Sequence, residues 1–96
     1  MRRSNVQNIG ELVKDFLKEM HIDQKLKEVR IINSWGDILG ANIQRATSKI
    51  FVKNRVLFVY LKSSIVRNEL MMMKSAIIAK LNEKAGDKVI DDIVLR

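Results

Sequence analysis

The stretch TSKIFVKNRVLFVYL, residues 47–61, contains two runs of strand-forming residues separated by the polar pair Asn54-Arg55. In the first run two sets of side chains alternate: Ser48, Ile50 and Val52 against Thr47, Lys49, Phe51 and Lys53. The second run, residues 56–61, consists of β-branched, aromatic and leucine side chains, a composition that favours strands. Because two residues suffice to join antiparallel strands, the stretch predicts a β-hairpin with strands at residues 47–53 and 56–61.

The two faces of this hairpin differ in their chemistry, since successive side chains of a strand point to opposite faces. One face is apolar and is expected to meet the core, with Ile50, Val52, Leu57, Val59 and Leu61. The other carries aromatic and basic side chains, namely Lys49, Phe51, Lys53, Phe58, Tyr60 and Lys62. Bases stack on rings and ammonium groups contact phosphates, so this second face suits nucleic acid. The alternative is that the first helix or a partner subunit covers it, and burial is the favoured expectation for Phe58.

The charge of the chain is strongly basic and unevenly placed. Eighteen Lys and Arg residues against eleven Asp and Glu give a net charge of +7 in 96 residues, which indicates a polyanionic partner. Residues 38–68 hold six basic residues and no acidic one, whereas residues 11–37 mix both signs. A binding surface explains this regional excess better than a solvated basic face does. The predicted nucleic-acid-binding residues are Lys49, Phe51, Lys53, Arg55, Tyr60 and Lys62.

Two helices are predicted before the hairpin. Apolar residues recur every three or four positions over residues 9–20, which predicts an amphipathic first helix. The second helix is expected to stop at Gly40. Leu26 and Trp35 fall on opposite sides of it, at about 100° per residue. We therefore expect this helix either to be buried on two sides or to break near Ile31.

A third helix and a third strand are predicted after the hairpin. Ser63-Ser64 offers an N-cap, residues 65–85 carry an apolar stripe of helical spacing, and Gly86 is a candidate C-terminal cap. Residues 89–95 form the third strand. The order α-α-β-β-α-β predicts an α+β fold, a three-stranded sheet packed by helices in a single domain over residues 1–96.

One side of the predicted third helix is a candidate for protein binding. It carries Arg67, Met71, Lys74 and Ile78, and methionine adapts well to a partner surface. The alternative is a broad buried face, and core packing is the favoured role for most of the Met71-Met72-Met73 run.

No constellation in the sequence favours catalysis. There is no cysteine, so disulfides and the usual structural zinc sites are excluded, and no cofactor or metal is expected. His21 is the only histidine, and the neighbours Asp91 and Asp92 would point to opposite faces of a strand. No apolar run approaches the length of a membrane span, and the basic start of the chain is not followed by one. We expect a cytoplasmic, non-enzymatic protein without membrane contact.

Taken in order, short motifs along the chain resemble those of the DciA family of small bacterial proteins. They span residues 9–95 and are Trp35-Gly36-Asp37-Ile38-Leu39-Gly40, Thr47, Leu57, Val59, Ser63-Ser64, Glu69-Leu70, Leu81-Asn82, Gly86, Val89 and Ile93. Two departures stand out. Val66 replaces an aromatic residue of many relatives, and the sequence ends at Arg96, where longer members carry a basic extension.

The resemblance implies a fold similar to KH domains, without their glycine loop, and a role in loading the DnaB-type replicative helicase onto DNA. It also implies direct binding of DNA, single-stranded or duplex, and nothing in the sequence resembles a groove-reading element that would make binding sequence-specific. Two other functions stay open. One is a KH-like RNA-binding module, and the other is a protein-interaction module that binds no nucleic acid.

Overall fold

The computed structural model describes residues 9–19 and 22–96, with elements in the order α-α-α-β-β-α-α-β. The helices are α1 (Ile9–Glu19), α2 (Ile22–Leu39), α3 (Ala41–Ala46), α4 (Ser64–Met71) and α5 (Lys74–Ala85). The strands are β1 (Thr47–Lys53), β2 (Val56–Leu61) and β3 (Asp92–Leu95). The predicted α+β class with a three-stranded sheet is confirmed, and its likeness to KH domains stays a prediction.

The hairpin forms as predicted, with the same strand boundaries. β1 and β2 pair antiparallel, and β2 then pairs with β3 in parallel, which gives the sheet order β1-β2-β3. Asn54 and Arg55 adopt φ angles of 51° and 64°. Positive φ at both central residues matches the turn to the right-handed twist of the two strands, which a two-residue hairpin requires.

A β-bulge interrupts the predicted alternation at the start of β1. Thr47 faces Leu61 and Lys49 faces Tyr60, so Ser48 is an extra residue on β1. The alternation expected from the sequence places Thr47 on the same face as Lys49, and this is wrong. The bulge turns Thr47 to the core side, where its hydroxyl contacts the indole of Trp35.

The core lies on one face of the sheet, between the strands and the helices α2 and α5. Its buried apolar residues are Ile31, Trp35, Leu57, Val59, Leu61, Leu70, Ile77, Leu81, Ala85, Val89, Ile90 and Ile93. Helix α2 runs unbroken to Gly40, and only its second half, with Ile31 and Trp35, is buried. Leu26 in its first half is 50% exposed. Both expectations for this helix, a break near Ile31 or burial on two sides, are therefore wrong.

The expected element order is wrong at two places: the predicted third helix is two helices, and the short helix α3 before the hairpin is not predicted by the sequence. Ser63 caps α4, because its Oγ accepts a hydrogen bond from the Val66 amide at 3.3 Å. Helix α4 ends at Met71, and the chain turns through Met72 and Met73 before α5 starts. The three methionines at this corner are exposed, Met71 by 53%, Met72 by 83% and Met73 by 46%. The expectation that most of this run packs in the core is wrong.

The end of α5 and the loop behind it are held by Asn82 and Gly86. Gly86 caps α5 in the left-handed region at φ 79°, as predicted. Asn82 Oδ1 accepts hydrogen bonds from the amides of Val89 and Ile90 at 3.0 and 3.1 Å. Residues 89 and 90 are buried. Since their amides bond to the Asn82 side chain and not to a strand, both residues stay outside the sheet. The third strand therefore starts only at Asp92, later than predicted.

Candidate nucleic-acid interface

The face of the sheet that points away from the core is the candidate interface, and we call it the outer face. Strand register assigns to it Lys49, Phe51 and Lys53 from β1, Val56, Phe58 and Tyr60 from β2, and Asp92 and Val94 from β3. The buried residues of the same strands lie on the opposite face, and the described helices that contact the sheet pack there. The outer face thus brings together four of the six predicted nucleic-acid-binding residues.

Three aromatic rings form a stack across the outer face. The rings of Phe51 and Phe58 lie 5.0 Å apart between centroids and are nearly parallel, at 11°. The ring of Tyr60 lies 6.3 Å from that of Phe51 at 23°. Direct and diagonal cross-strand neighbours are close enough for such contacts. All three side chains are half-buried. Phe58, for which the sequence favours burial, is half-buried, and its ring stacks on that of Phe51.

Lys49 places its charge over the ring stack. Its Nζ lies 5.2 Å from the centroid of Phe51 and 5.6 Å from that of Tyr60. A cation over an exposed ring is held by about 0.5–1 kcal/mol, so this ammonium group moves easily. Lys53 at the other end of β1 and Lys62 just after β2 are exposed. The three lysines border the rings with positive charge.

Arg55 differs from these lysines because its guanidinium already has partners. Its Nε donates to Asp91 Oδ2 at 2.8 Å, and its Nη2 donates to Asp91 Oδ1 at 2.9 Å and to the Lys88 carbonyl at 3.0 Å. The hydrogen bonds from Arg55 hold the pKa of the Asp91 carboxyl below its ordinary value. The Asp91 amide also donates to the Arg55 carbonyl at 2.7 Å. Arg55 thus joins the hairpin turn to the segment before β3, and its role in nucleic-acid binding stays a prediction.

The predicted partner-binding residues do not share one helix side. Arg67 and Met71 belong to α4, whereas Lys74 and Ile78 belong to α5, so the premise of a continuous helix is wrong. Lys74 Nζ pairs with an Asp92 carboxylate oxygen at 3.2 Å, and Ile78 packs against the core. Their role as a binding site stays a prediction.

Two grooves flank the second half of α2. The larger, of about 350 Å³, is lined by Ile32, Asn33, Trp35, Gly36, Gln44, Thr47 and Ile50. The smaller, of about 200 Å³, is lined by Ile38, Leu39, Met73, Ala76, Ile77 and Lys80. The sequence predicts neither groove. The smaller one depends on the break between α4 and α5, and that break carries no glycine or proline that would signal it.

A metal site, a carboxylate pair and a membrane span each set requirements against which the described residues can be compared. In residues 9–19 and 22–96, no three His, Cys, Asp or Glu residues group in a way that could hold a metal ion. Asp91 and Asp92 bind different cations, Arg55 and Lys74. His21 lies outside the described residues. Over the same ranges, no helix combines the length and apolar character needed to cross a membrane.

Comparison with models of protein families gives a match over nearly the whole chain. The family model described as "Dna[CI] antecedent, DciA" matches residues 8–95, which is nearly the whole chain. Comparison with curated proteins and with solved structures gives no significant match.

Proposed function

The chain belongs to the DciA family, and from this we propose that it is a non-enzymatic adaptor that binds nucleic acid while it assists helicase loading. The family takes part in loading the DnaB-type replicative helicase in bacterial DNA replication. The finer part of the proposal, contact with DNA, is supported by one observation, the aromatic outer face bordered by Lys49, Lys53 and Lys62. Its location would be the cytoplasm, where bacterial replication takes place.

Binding would combine two contacts on the outer face. The lysines neutralise phosphates, which makes affinity dependent on salt and independent of sequence. Bases stack on the rings, and stacking contributes roughly 1–3 kcal/mol per base. This exceeds the roughly 0.5–1 kcal/mol that holds Lys49 over Phe51 and Tyr60. A base therefore displaces the ammonium group of Lys49, which is then free to contact a phosphate. Single strands expose the base faces that this mechanism needs, so they are the favoured ligand.

Fluorescence anisotropy with labelled single- and double-stranded oligonucleotides across a salt series tests the proposal. The triple variant Lys49→Glu, Lys53→Glu, Lys62→Glu should lose binding, because it reverses the charges that border the rings. Removing a single phosphate contact, as in Lys53→Ala, should lower the log–log salt slope for single strands by roughly 0.7. Phe51→Ala should weaken single-strand binding and leave duplex binding nearly unchanged.

The matched control reverses three lysines away from the outer face, Lys25→Glu, Lys80→Glu and Lys84→Glu. It changes the net charge by the same amount, so it separates a local surface from the charge of the whole chain. Equal loss in both triple variants would contradict the assignment of the surface. If the parent protein binds no oligonucleotide even at low salt, the remaining function is that of a protein-interaction module that binds no nucleic acid. Stronger binding of RNA than of single-stranded DNA in competition would favour the KH-like RNA-binding function.

A helicase contact near the corner between α4 and α5 is the second part of the proposal. The predicted residues Arg67, Met71, Lys74 and Ile78 border this corner from both helices. It is supported by the exposure of Met71 and its two neighbours, since large exposed apolar groups that lie together mark interaction sites. Lys74 and Ile78 already contribute to an ion pair and to the core, so Arg67 and Met71 are the better positions for testing.

A further inference from the structure

Among the apolar surfaces that lack a covering layer in the described part of the chain, two have matching character. One is the outer face with its ring stack. The other is helix α1, on which Leu12 is 60% exposed and Val13 is 52% exposed. A helix with one apolar side gains its stability in proteins mainly by packing that side against another element. Helix α1 contacts α2 but leaves Leu12 and Val13 exposed, so these two side chains can pack on another surface, and the outer face has matching character.

The charges beside the two surfaces also match. At about 100° per residue, Glu11 and Asp15 fall on the flank of α1 next to Leu12, whereas Lys14 falls on the opposite flank beyond Val13. On the outer face, Lys49 and Lys53 lie on the edge strand β1. The opposite edge, β3, carries Asp92, which Lys74 already binds. A helix laid along the sheet would thus bring its acidic flank to the lysine edge.

The dimensions allow this contact. Helix α1 has eleven residues and is about 16 Å long. Lys49 and Lys53 are about 13 Å apart along β1 at an ordinary strand rise. The helix thus covers the stretch of sheet that holds Phe51, Phe58 and Tyr60.

The α1 helix of the same chain is poorly placed to reach that chain's outer face. Only two residues separate α1 from α2, and α2 packs on the core side of the sheet through Ile31 and Trp35. The first half of α2 is fixed by Lys27, whose Nζ pairs with Asp87 at 2.8 Å. Helix α1 contacts α2, so it starts from the core side of the sheet and not from the side of the rings.

We propose that α1 packs on the outer face of a second copy of the chain, with Glu11 and Asp15 against Lys49 and Lys53. Because the same rings and lysines form the proposed nucleic-acid surface, self-association and nucleic-acid binding exclude each other. This second statement rests on the proposed function, whereas the self-association stands without it. Single-stranded nucleic acid therefore dissociates the self-associated form.

Sedimentation velocity over a wide concentration range tests the contact on the full chain. The parent protein should associate as its concentration rises. The variant Leu12→Glu, Val13→Glu should raise the dissociation constant at least roughly tenfold, because two apolar side chains no longer leave water. Its matched control is Leu26→Glu, Val29→Glu, which changes two similarly exposed apolar residues on α2 and should associate like the parent.

A charge exchange tests the orientation. Glu11→Lys with Asp15→Lys should weaken association, and so should Lys49→Glu with Lys53→Glu. Combining all four substitutions should restore it, since the two flanks match again with opposite sign. Failure of the combined variant to recover would overturn the proposed pairing of α1 with the lysine edge.

Mixing two variants distinguishes a contact between two copies of the chain from a contact within one chain. The Leu12→Glu, Val13→Glu variant keeps an intact outer face, and the Lys49→Glu, Lys53→Glu variant keeps an intact helix. At a concentration near the dissociation constant of the parent, neither variant alone should associate appreciably, and their mixture should form a dimer with one intact contact. A parent that stays monomeric at every concentration, or a mixture that does not associate, would overturn the proposal.

Anisotropy with a single-stranded oligonucleotide completes the test. At protein concentrations where the parent associates, the oligonucleotide should dissociate the dimer, and the Leu12→Glu, Val13→Glu variant should bind it more tightly than the parent. If neither protein binds the oligonucleotide, the proposed function fails while the sedimentation result still stands. If both bind equally and the dimer persists, the mutual exclusion is wrong.

Discussion

The indole Nε1 of Trp35 donates a hydrogen bond to Thr47 Oγ1 across 3.0 Å, and the Thr47 hydroxyl in turn donates to the Ile43 carbonyl at 2.8 Å. This chain of two bonds links α2, α3 and the start of β1. Trp35 is only 2% exposed, so its N–H has no ready access to water. The bulge at Ser48 makes the contact possible, because it turns Thr47 toward the core.

Loss of the Thr47 hydroxyl should therefore destabilise the fold more than its size suggests. Thr47→Val keeps the shape of the side chain but leaves a buried indole N–H without an acceptor, which costs roughly 1–3 kcal/mol. Thr47→Ser should retain the acceptor and most of the stability. Trp35→Ala should cost roughly 3–5 kcal/mol through the cavity it leaves. Urea denaturation of each variant measures these differences. A Thr47→Val protein as stable as the parent would show that the hydrogen bond contributes little.

The ion pair between Arg55 and Asp91 should make stability depend on pH. Arg55 holds the pKa of Asp91 below its ordinary value of 3.8, so the folded state favours the carboxylate. The contribution to stability is then complete above about pH 5 and is lost as the pH falls below 4 and the carboxylate is protonated. Melting temperatures of the parent and Asp91→Asn should differ at neutral pH and converge in acid.

Arg55→Lys is the informative comparison for this pair. It keeps the positive charge but cannot make the two parallel bonds to Asp91. A lower melting temperature with unchanged oligonucleotide binding would identify Arg55 as a residue that fixes the hairpin turn. A loss of binding at unchanged melting temperature would place Arg55 with the lysines in the nucleic-acid surface.

Contact with Gln44 should cancel the gain in stability that replacing Gly36 with alanine would otherwise give. A Cβ at Gly36 would clash with Gln44 Oε1, so the glutamine side chain would have to move. Replacing a helix-interior glycine with alanine otherwise gains roughly 0.5–1 kcal/mol. We expect Gly36→Ala alone to be near neutral, and Gly36→Ala with Gln44→Ala to be more stable than Gln44→Ala by that amount. Thermal denaturation of the four proteins measures it, and additive effects would contradict the contact.

The hairpin and its two faces could be predicted because they depend on neighbours in sequence. Alternation of side chains and a two-residue turn are local signals, and they place Phe51 and Tyr60 on one face correctly. The same signals failed at Thr47, since the bulge serves a hydrogen bond to Trp35, twelve residues away. Likewise, Arg55 could not be separated from the lysines, because its partner Asp91 lies 36 residues further along the chain.

The prediction of a single third helix is wrong for a different physical reason. The apolar stripe with Leu70, Ile77 and Leu81 fits one straight helix as well as two shorter ones. All three are buried in the structure, on both sides of the break at Met72 and Met73. Periodicity records which residues face the core, but a change of helix direction that preserves burial leaves no trace in it. The exposed corner is therefore visible only in three dimensions.

The corner formed by Met71, Met72 and Met73 presents exposed apolar side chains that a partner could contact. Met71→Ser with Met72→Ser removes two exposed apolar side chains and leaves the buried neighbour Leu70 in place. Surface changes of this kind alter stability by only about 0.5 kcal/mol, so the melting temperature should hardly move. If the corner contacts the helicase, binding to a purified DnaB-type helicase should fall by roughly tenfold or more, as for central apolar residues of an interface. Arg67→Glu should weaken helicase binding further.

Biolayer interferometry with nuclease-treated proteins measures the contact without bridging nucleic acid. Leu26→Ser with Val29→Ser, an exposed apolar pair on α2, is the matched control and should bind like the parent. Equal loss in both double variants would mean that the helicase contacts exposed apolar surface in general. Loss in the control alone would move the contact to the first half of α2.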